Sequence, residues 1–191
     1  IIILYGSLCI KMTKVFIDGQ AGTTGLRIKD RLLKRDDIEL LIIDEDKRKD
    51  KDEIKKFINH SDITFLCLPD NAAIEAVSLL DKENKKTKII DASTAHRTNP
   101  LWAYGFPELS EEFKRRIETN QLIANPGCYA SGFNAIVAPL VARNVISADY
   151  PLTCFAVSGY SGAGNKAIAQ YEDQNRNKEL DSPRQYALTQ N

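Results

Sequence analysis

No two cysteines in this chain have the spacing of a metal-ligand pair. Cys9, Cys67, Cys128 and Cys154 are widely scattered, with no CxxC among them. That argues against a zinc site and against a disulfide framework. A net charge is missing too, with 26 Lys and Arg balanced by 26 Asp and Glu. Such a chain has no long-range attraction for nucleic acid or for an anionic membrane. The apolar opening stretch "IIILYGSLCIK" is too short to span a bilayer. It also lacks the basic leader and cleavage site of a signal peptide. Histidine is scarce, with only His60 and His96. These absences leave a globular protein of a reducing, cytoplasmic setting, with no metal, nucleic-acid or membrane partner expected.

What remains is ordinary material for folding. With 191 residues, 43% hydrophobic and 27% charged, the chain has enough sequence for one large domain, or one complete domain and part of another. Met12 follows the apolar opening. Residues 1–11 are read as translated sequence upstream of the natural start, with a short extra strand as the alternative. The closing "RQYALTQN" is read as the end of an incomplete chain.

The middle of the sequence alternates apolar runs with helical patterns. "KVFID" (residues 14–18), "IELLIID" (38–44), "DITFLCLP" (62–69) and "TKIIDAS" (87–93) read as buried strands. "GLRIKDRLLKR" and "DNAAIEAVSLL" have helical spacing, the second with Asp70 and Asn71 as capping candidates. "SEEFKRRIETN" is a further helix capped by Ser110, and "QLIAN" a short strand. The charged "EDKRKDKDEIKKF" carries mixed acids and bases and is assigned no element. Strand–helix alternation with continuously apolar strands predicts an α/β fold built on a parallel sheet wrapped by helices. Ligands of such sheets sit at the carboxyl edge of the strands. A second sheet is expected to begin at "PLTCFAVSGY", residues 151–160.

The first strand runs into "DGQAGTTG", with glycines at 19, 22 and 25. A glycine loop between a strand and a helix lets backbone N–H groups and the helix dipole meet a phosphate. Gly19, Gly22, Gly25 and the hydroxyls of Thr23 and Thr24 are therefore candidate dinucleotide ligands, against a plain turn. After the second strand, Asp44 suits a ribose 2′-hydroxyl, whereas Lys47, Arg48 and Lys49 suit a 2′-phosphate. A solvated charge run is the third possibility, and the residues alone leave the choice open.

"IANPGCYASG" places Cys128 in a turn that opens an apolar helix. The positive end of a helix dipole favours thiolate, the competent nucleophile. Backbone N–H groups there, with Asn125, are candidate oxyanion donors. A cysteine merely packed in a loop is the alternative. Cys67 and Cys154 lie inside apolar segments and read as small core residues. His60 and His96 both read as surface groups, although His96 follows the fourth strand and is placed to face the cleft. Arg97 beside it is the stronger candidate, because a guanidinium suits a phosphate or carboxylate. The loop "SGYSGAGNKA" (residues 158–167) is either a ligand wrap, with Lys166 an anion partner, or a tight turn.

Together, "DGQAGTTGLRI", "FLCLPDNAA", "DASTAHRTNPLWAYGFPEL", "NPGCYASG" and "SGYSGAGNKA" resemble the N-acetyl-gamma-glutamyl-phosphate reductase family in its shorter bacterial type, from about Met12 onward. The resemblance implies NADPH-dependent reduction of N-acetylglutamyl 5-phosphate to the 5-semialdehyde, in arginine biosynthesis. Cys128 would be the acylated nucleophile and Arg97 the receiver of the substrate phosphate, with Asn125 beside it. Gly19 to Gly25, Ser93, Gly159, Ser161 and Gly162 would lie near the cofactor. The family's preference selects NADP, with Arg48 and Lys49 on its 2′-phosphate. It also implies a Rossmann-like domain over residues 12–125, an incomplete α+β catalytic and dimerisation domain over 126–191, and a homo-oligomer at full length. The family's catalytic histidine lies beyond the segment that "SPRQYALTQN" resembles, and neither His60 nor His96 matches it. Weak activity or none is the corresponding expectation. The alternatives are a reductase of another acyl phosphate, such as aspartyl phosphate, and an inactive dinucleotide-binding remnant. A cysteine–histidine hydrolase is disfavoured, because a cofactor loop would be idle in it.

Overall fold

Six parallel strands form one sheet in the order β2-β1-β3-β4-β6-β5. The computed structural model describes residues 12–185; the expectation for residues 1–11 lies outside them. The strands are β1 Thr13–Asp18, β2 Ile38–Leu41, β3 Ile63–Leu66, β4 Lys88–Asp91, β5 Ala103–Tyr104 and β6 Leu122–Ala124. The helices α1 Thr23–Leu32, α2 Lys51–His60, α3 Asp70–Ser78 and α4 Glu111–Thr119 connect them. This is the Rossmann-like parallel sheet expected from the sequence. β1 lies between β2 and β3, so the strand order reverses there. In such folds the crevice at the reversal is where ligands bind.

The core explains why the short strands hold. Phe16, Ile58, Leu66 and Ile89 are buried together with Ala73, Ala76, Trp102 and Ala124. The Phe16 ring meets Phe57 at 5.2 Å between centroids. Each large apolar side chain buried in this way contributes about 1.5–3 kcal/mol.

Several elements differ from the sequence reading. β2 stops at Leu41, where its pairing with β1 ends at Phe16, although Ile43 still reaches the core. The charged run closes with a helix, α2. Asp50 caps it by accepting from the N–H groups of Asp52 and Glu53, and its apolar residues Ile54, Phe57 and Ile58 face the core. Asp70 is the first residue of α3 rather than its cap. Its carboxylate instead accepts from the N–H and hydroxyl of Thr94. Ser110 caps α4 as expected, accepting from Phe113 N–H.

A fifth helix, α5 (Cys128–Ala142), follows β6. Beyond it no strand forms at residues 151–160. That run finds no strand to pair with among the described residues, and Cys154 is exposed rather than packed.

The chain divides into two compact units between Cys154 and Phe155. In the second, a 3-10 turn, Tyr160–Ala163, leads into α6, Asn165–Glu172, and a further 3-10 turn spans Lys178–Asp181. Tyr160 stacks on Tyr171 with centroids 4.8 Å apart.

Candidate active site

Because all strands run the same way, the segments that follow β1, β3, β4 and β6 emerge at one edge. Backbone bonds continue past the strand ends and tie these segments together. Cys67 N–H donates to Asp18 O at 2.8 Å, Ala92 N–H to Leu66 O at 2.9 Å, and Asn125 N–H to Asp91 O at 2.8 Å.

The glycine loop opens this edge. Gly19 has φ +81°, and a Cβ there would stand 2.3 Å from Cys67 O. A Cβ on Gly25 would stand 2.4 Å from Gly19 O. Both positions therefore require glycine. Gly22 caps α1 without a side-chain hydrogen bond, and the first turn holds no acid. Backbone N–H groups and an unopposed dipole end are left for an anion, so the loop fits a dinucleotide phosphate. Thr23 and Thr24 begin the helix.

Beneath the loop lies a carboxylate that the sequence reading passed over. Asp18 closes β1 and is only 8% exposed. Burial pushes its pKa up to about 6, partly offset by the Gly19 N–H. The neighbouring Cys67 thiol is pushed up to about 11, chiefly by burial and further by Asp18 and Asp91.

Cys128 is the first residue of α5 and is exposed. Gly127 caps the helix with no side-chain bond. The first intrahelical bond runs from Ser131 N–H to Gly127 O at 2.9 Å. Arg97 reaches this turn from the β4 loop. Its Nε donates to Asn125 O at 3.0 Å and its Nη2 to Ala92 O at 3.1 Å. A Cβ on Gly127 would lie 2.8 Å from Arg97 Nη1. The structure thus brings the guanidinium to the mouth of the cysteine helix. The Asn125 side chain donates to Pro126 O at 3.2 Å.

The histidines behave differently from one another. His60 is exposed at the end of α2, with Nε2 2.8 Å from Lys14 Nζ. His96, expected at the surface, is 8% exposed. Its Nδ1 lies 2.6 Å from an Asp91 carboxylate oxygen, and its ring stacks on Trp102 at 4.0 Å. Asp91 is fully buried and also accepts from Ser93 N–H at 2.9 Å and Ser93 Oγ at 2.7 Å. An acid ending an apolar strand was the available signal for Asp91.

The charge run after β2 folds into turns that neutralise themselves. Arg48 Nη1 pairs with Glu45 at 2.5 Å, and Lys47 Nζ lies 3.8 Å from Asp44. Arg48 and Lys49 are exposed. Gly159, Ser161, Gly162 and Lys166 belong to the second unit. Within it, Gly159 caps the 3-10 turn that holds Ser161 and Gly162, and Lys166 is the second residue of α6. No helix among the described residues is long and apolar enough to cross a membrane.

Two family profiles match in succession. "Semialdehyde dehydrogenase, NAD binding domain" covers residues 24–116, and "Semialdehyde dehydrogenase, dimerisation domain" covers residues 128–190. Among curated proteins, the N-acetyl-gamma-glutamyl-phosphate reductases of Brucella ovis and Brucella canis are each 52% identical over 162 residues. The matched region is 85% of this chain and 52% of each relative. The chain therefore spans about half the length of the curated relatives it matches. Among solved structures, aspartate semialdehyde dehydrogenase from Francisella tularensis matches with a TM-score of 0.61 at 17% identity, over 84% of this chain and 48% of that one. Aspartate semialdehyde dehydrogenase II from Vibrio cholerae matches at 0.58 and 16%, over 85% and 51%. At such identities these structures speak to the fold alone.

Proposed function

Because the chain belongs to the semialdehyde dehydrogenase family, we propose that it carries the nucleophile and anion-binding corner of an NADP-dependent acyl-phosphate reductase. The substrate is N-acetyl-L-glutamyl 5-phosphate and the product the 5-semialdehyde, a step of arginine biosynthesis. The names of the Brucella relatives support the substrate. One observation carries the chemistry: Arg97 Nη1 lies against Gly127, the residue before an exposed Cys128 at a helix start.

In this reading the Cys128 thiolate attacks the acyl carbon. The carbon–oxygen bond to phosphate breaks, and a thioester forms on Sγ. The departing phosphate takes its electron pair and one proton from the medium, and Arg97 holds its charge. The Cys128 N–H at the positive end of α5 and Asn125 steady the developing oxyanion. NADPH, when bound, supplies the hydride that reduces the thioester to the aldehyde and releases the thiolate. The glycine loop with Thr23 and Thr24 would hold its phosphates, and Arg48 and Lys49 its 2′-phosphate. Ser93, Gly159, Ser161 and Gly162 are assigned to the cofactor as well. The catalytic and dimerisation part begins near residue 126, after a dinucleotide-binding part from residue 12. The homo-oligomer and the cytoplasmic setting belong to the same reading.

The half-reaction tests this without turnover. N-acetylglutamyl phosphate, generated in place by a kinase, is mixed with the protein and the adduct read by mass spectrometry. The expected result is a hydroxylamine-sensitive N-acetylglutamyl adduct on Cys128, absent from C128S. An aspartyl adduct formed in preference from aspartyl phosphate would assign a different substrate. No Cys128 adduct from either would overturn the reductase reading.

A further inference from the structure

A buried histidine inside the corner is unused by this chemistry. His96 is clamped on two sides. Trp102, itself 5% exposed, lies flat against the ring with a 12° interplanar angle. The Nδ1 atom meets Asp91 at 2.6 Å. A carboxylate oxygen is the natural acceptor for a ring N–H, so this contact assigns the hydrogen to Nδ1. Asp91 is the shared post of the corner. Its side chain holds His96 and Ser93, and its carbonyl oxygen accepts from Asn125 N–H. Arg97 follows His96 directly in the chain. Two of its five N–H donors are taken by the carbonyls of Ala92 and Asn125, and both on Nη1 remain among the described residues.

We propose that His96 is a positioning residue, whose Nδ1–Asp91 bond holds the Arg97 guanidinium in register with the Cys128 helix so that it receives a phosphate dianion. The inference rests on the reductase reading and extends it to a residue that touches neither substrate nor cofactor. Packing alone does not require histidine here, since a phenyl ring would also stack on Trp102. What phenylalanine lacks is the donor to Asp91. Asparagine offers a donor near the place of Nδ1, whereas the longer glutamine offers one near Nε2.

The probe is inorganic phosphate, and the readout is its protection of Cys128 from iodoacetamide, titrated to an apparent Kd in the full chain. Thermal stability and NADPH affinity are measured alongside. In H96F the phosphate Kd is expected to rise about tenfold, the scale of one lost charge-assisted bond, with NADPH affinity unchanged. H96N is expected to stay within about twofold of the parent on the same scale. H96Q serves as a second donor-displaced variant should H96F fail to fold, and is expected to weaken phosphate as H96F does. Parental phosphate affinity in H96F or H96Q overturns the proposal, as does equal loss of phosphate and NADPH binding in all three. If the parent shows protection that R97A loses and H96F keeps, the inference alone fails. If the parent shows no protection by phosphate, Arg97 is not an anion receiver and both readings fall.

Discussion

Arg97 occupies the space that a side chain on residue 127 would need, with Nη1 only 2.8 Å from the Cβ position of Gly127. The contact is made by the end of a long side chain, so a methyl group there would displace the guanidinium rather than unfold the turn. G127A is expected to fold normally and to weaken phosphate protection of Cys128 about tenfold, the scale of a misaligned charge-assisted contact. Alkylation kinetics at graded phosphate concentrations check this. Unchanged protection would separate Arg97 from anion binding.

The glycine loop predicts two classes of variant. In G19A the new Cβ meets backbone at a positive φ, and stability is expected to fall by at least about 2 kcal/mol, along with NADPH binding. At Gly22 the nearest backbone oxygen is 3.3 Å away. G22A is therefore expected to weaken NADPH binding with a stability loss below about 1 kcal/mol. Denaturant unfolding and cofactor fluorescence titration distinguish the two. Equal stability losses would contradict the geometry.

Asp18 sets a pH dependence of opposite sign to that of a paired carboxylate. Its folded pKa of about 6 exceeds the unfolded value near 3.8. Between those values the folded state holds more protons than the unfolded state, so stability falls as pH rises through the window. The full cost, on the order of 3 kcal/mol, is present above about pH 6. D18N is expected to raise Tm at pH 8 and to change it little at pH 4. A gain that is larger at pH 4 would reverse the assignment.

Thiol reactivity gives a further check. Cys128 is exposed, while burial and two carboxylates hold the half-buried Cys67 thiol near 11. Under native conditions at pH 8, Cys128 is expected to alkylate at least about tenfold faster than Cys67, because it is exposed while the Cys67 thiolate is disfavoured by burial. D18N is expected to quicken Cys67 modestly, because burial and not Asp18 is the larger cause. Peptide mapping after brief iodoacetamide exposure reads both. Equal rates at the two thiols would count against the site.

Much of this was legible in the sequence, and the gaps have physical reasons. β1, the glycine loop and the cysteine helix announced themselves, because each joins an apolar run to a breaker. α2 was hidden in a charge run, since three core residues, Ile54, Phe57 and Ile58, supply its whole buried stripe. β5 has two residues, too few for any period. The run at residues 151–160 reads as a strand by composition, but a strand needs a partner that sequence does not specify. His96 looked like a loop histidine because its partners are set by tertiary packing. Asp91 lies five positions earlier and Trp102 six positions later.

The Arg97–Asn125 bond spans 28 positions of chain, and that distance has a kinetic meaning. The guanidinium finds its acceptor only after β6 has zipped onto β4, with Ile89 opposite Leu122 and Asp91 opposite Ala124. Until that crossover closes, the thiol and the cation are strangers on a disordered thread, and loop-closure entropy opposes their meeting. The Arg97–Cys128 corner is thus expected to form late in folding. During refolding, the onset of phosphate protection at Cys128 marks the moment the sheet acquires its fifth strand.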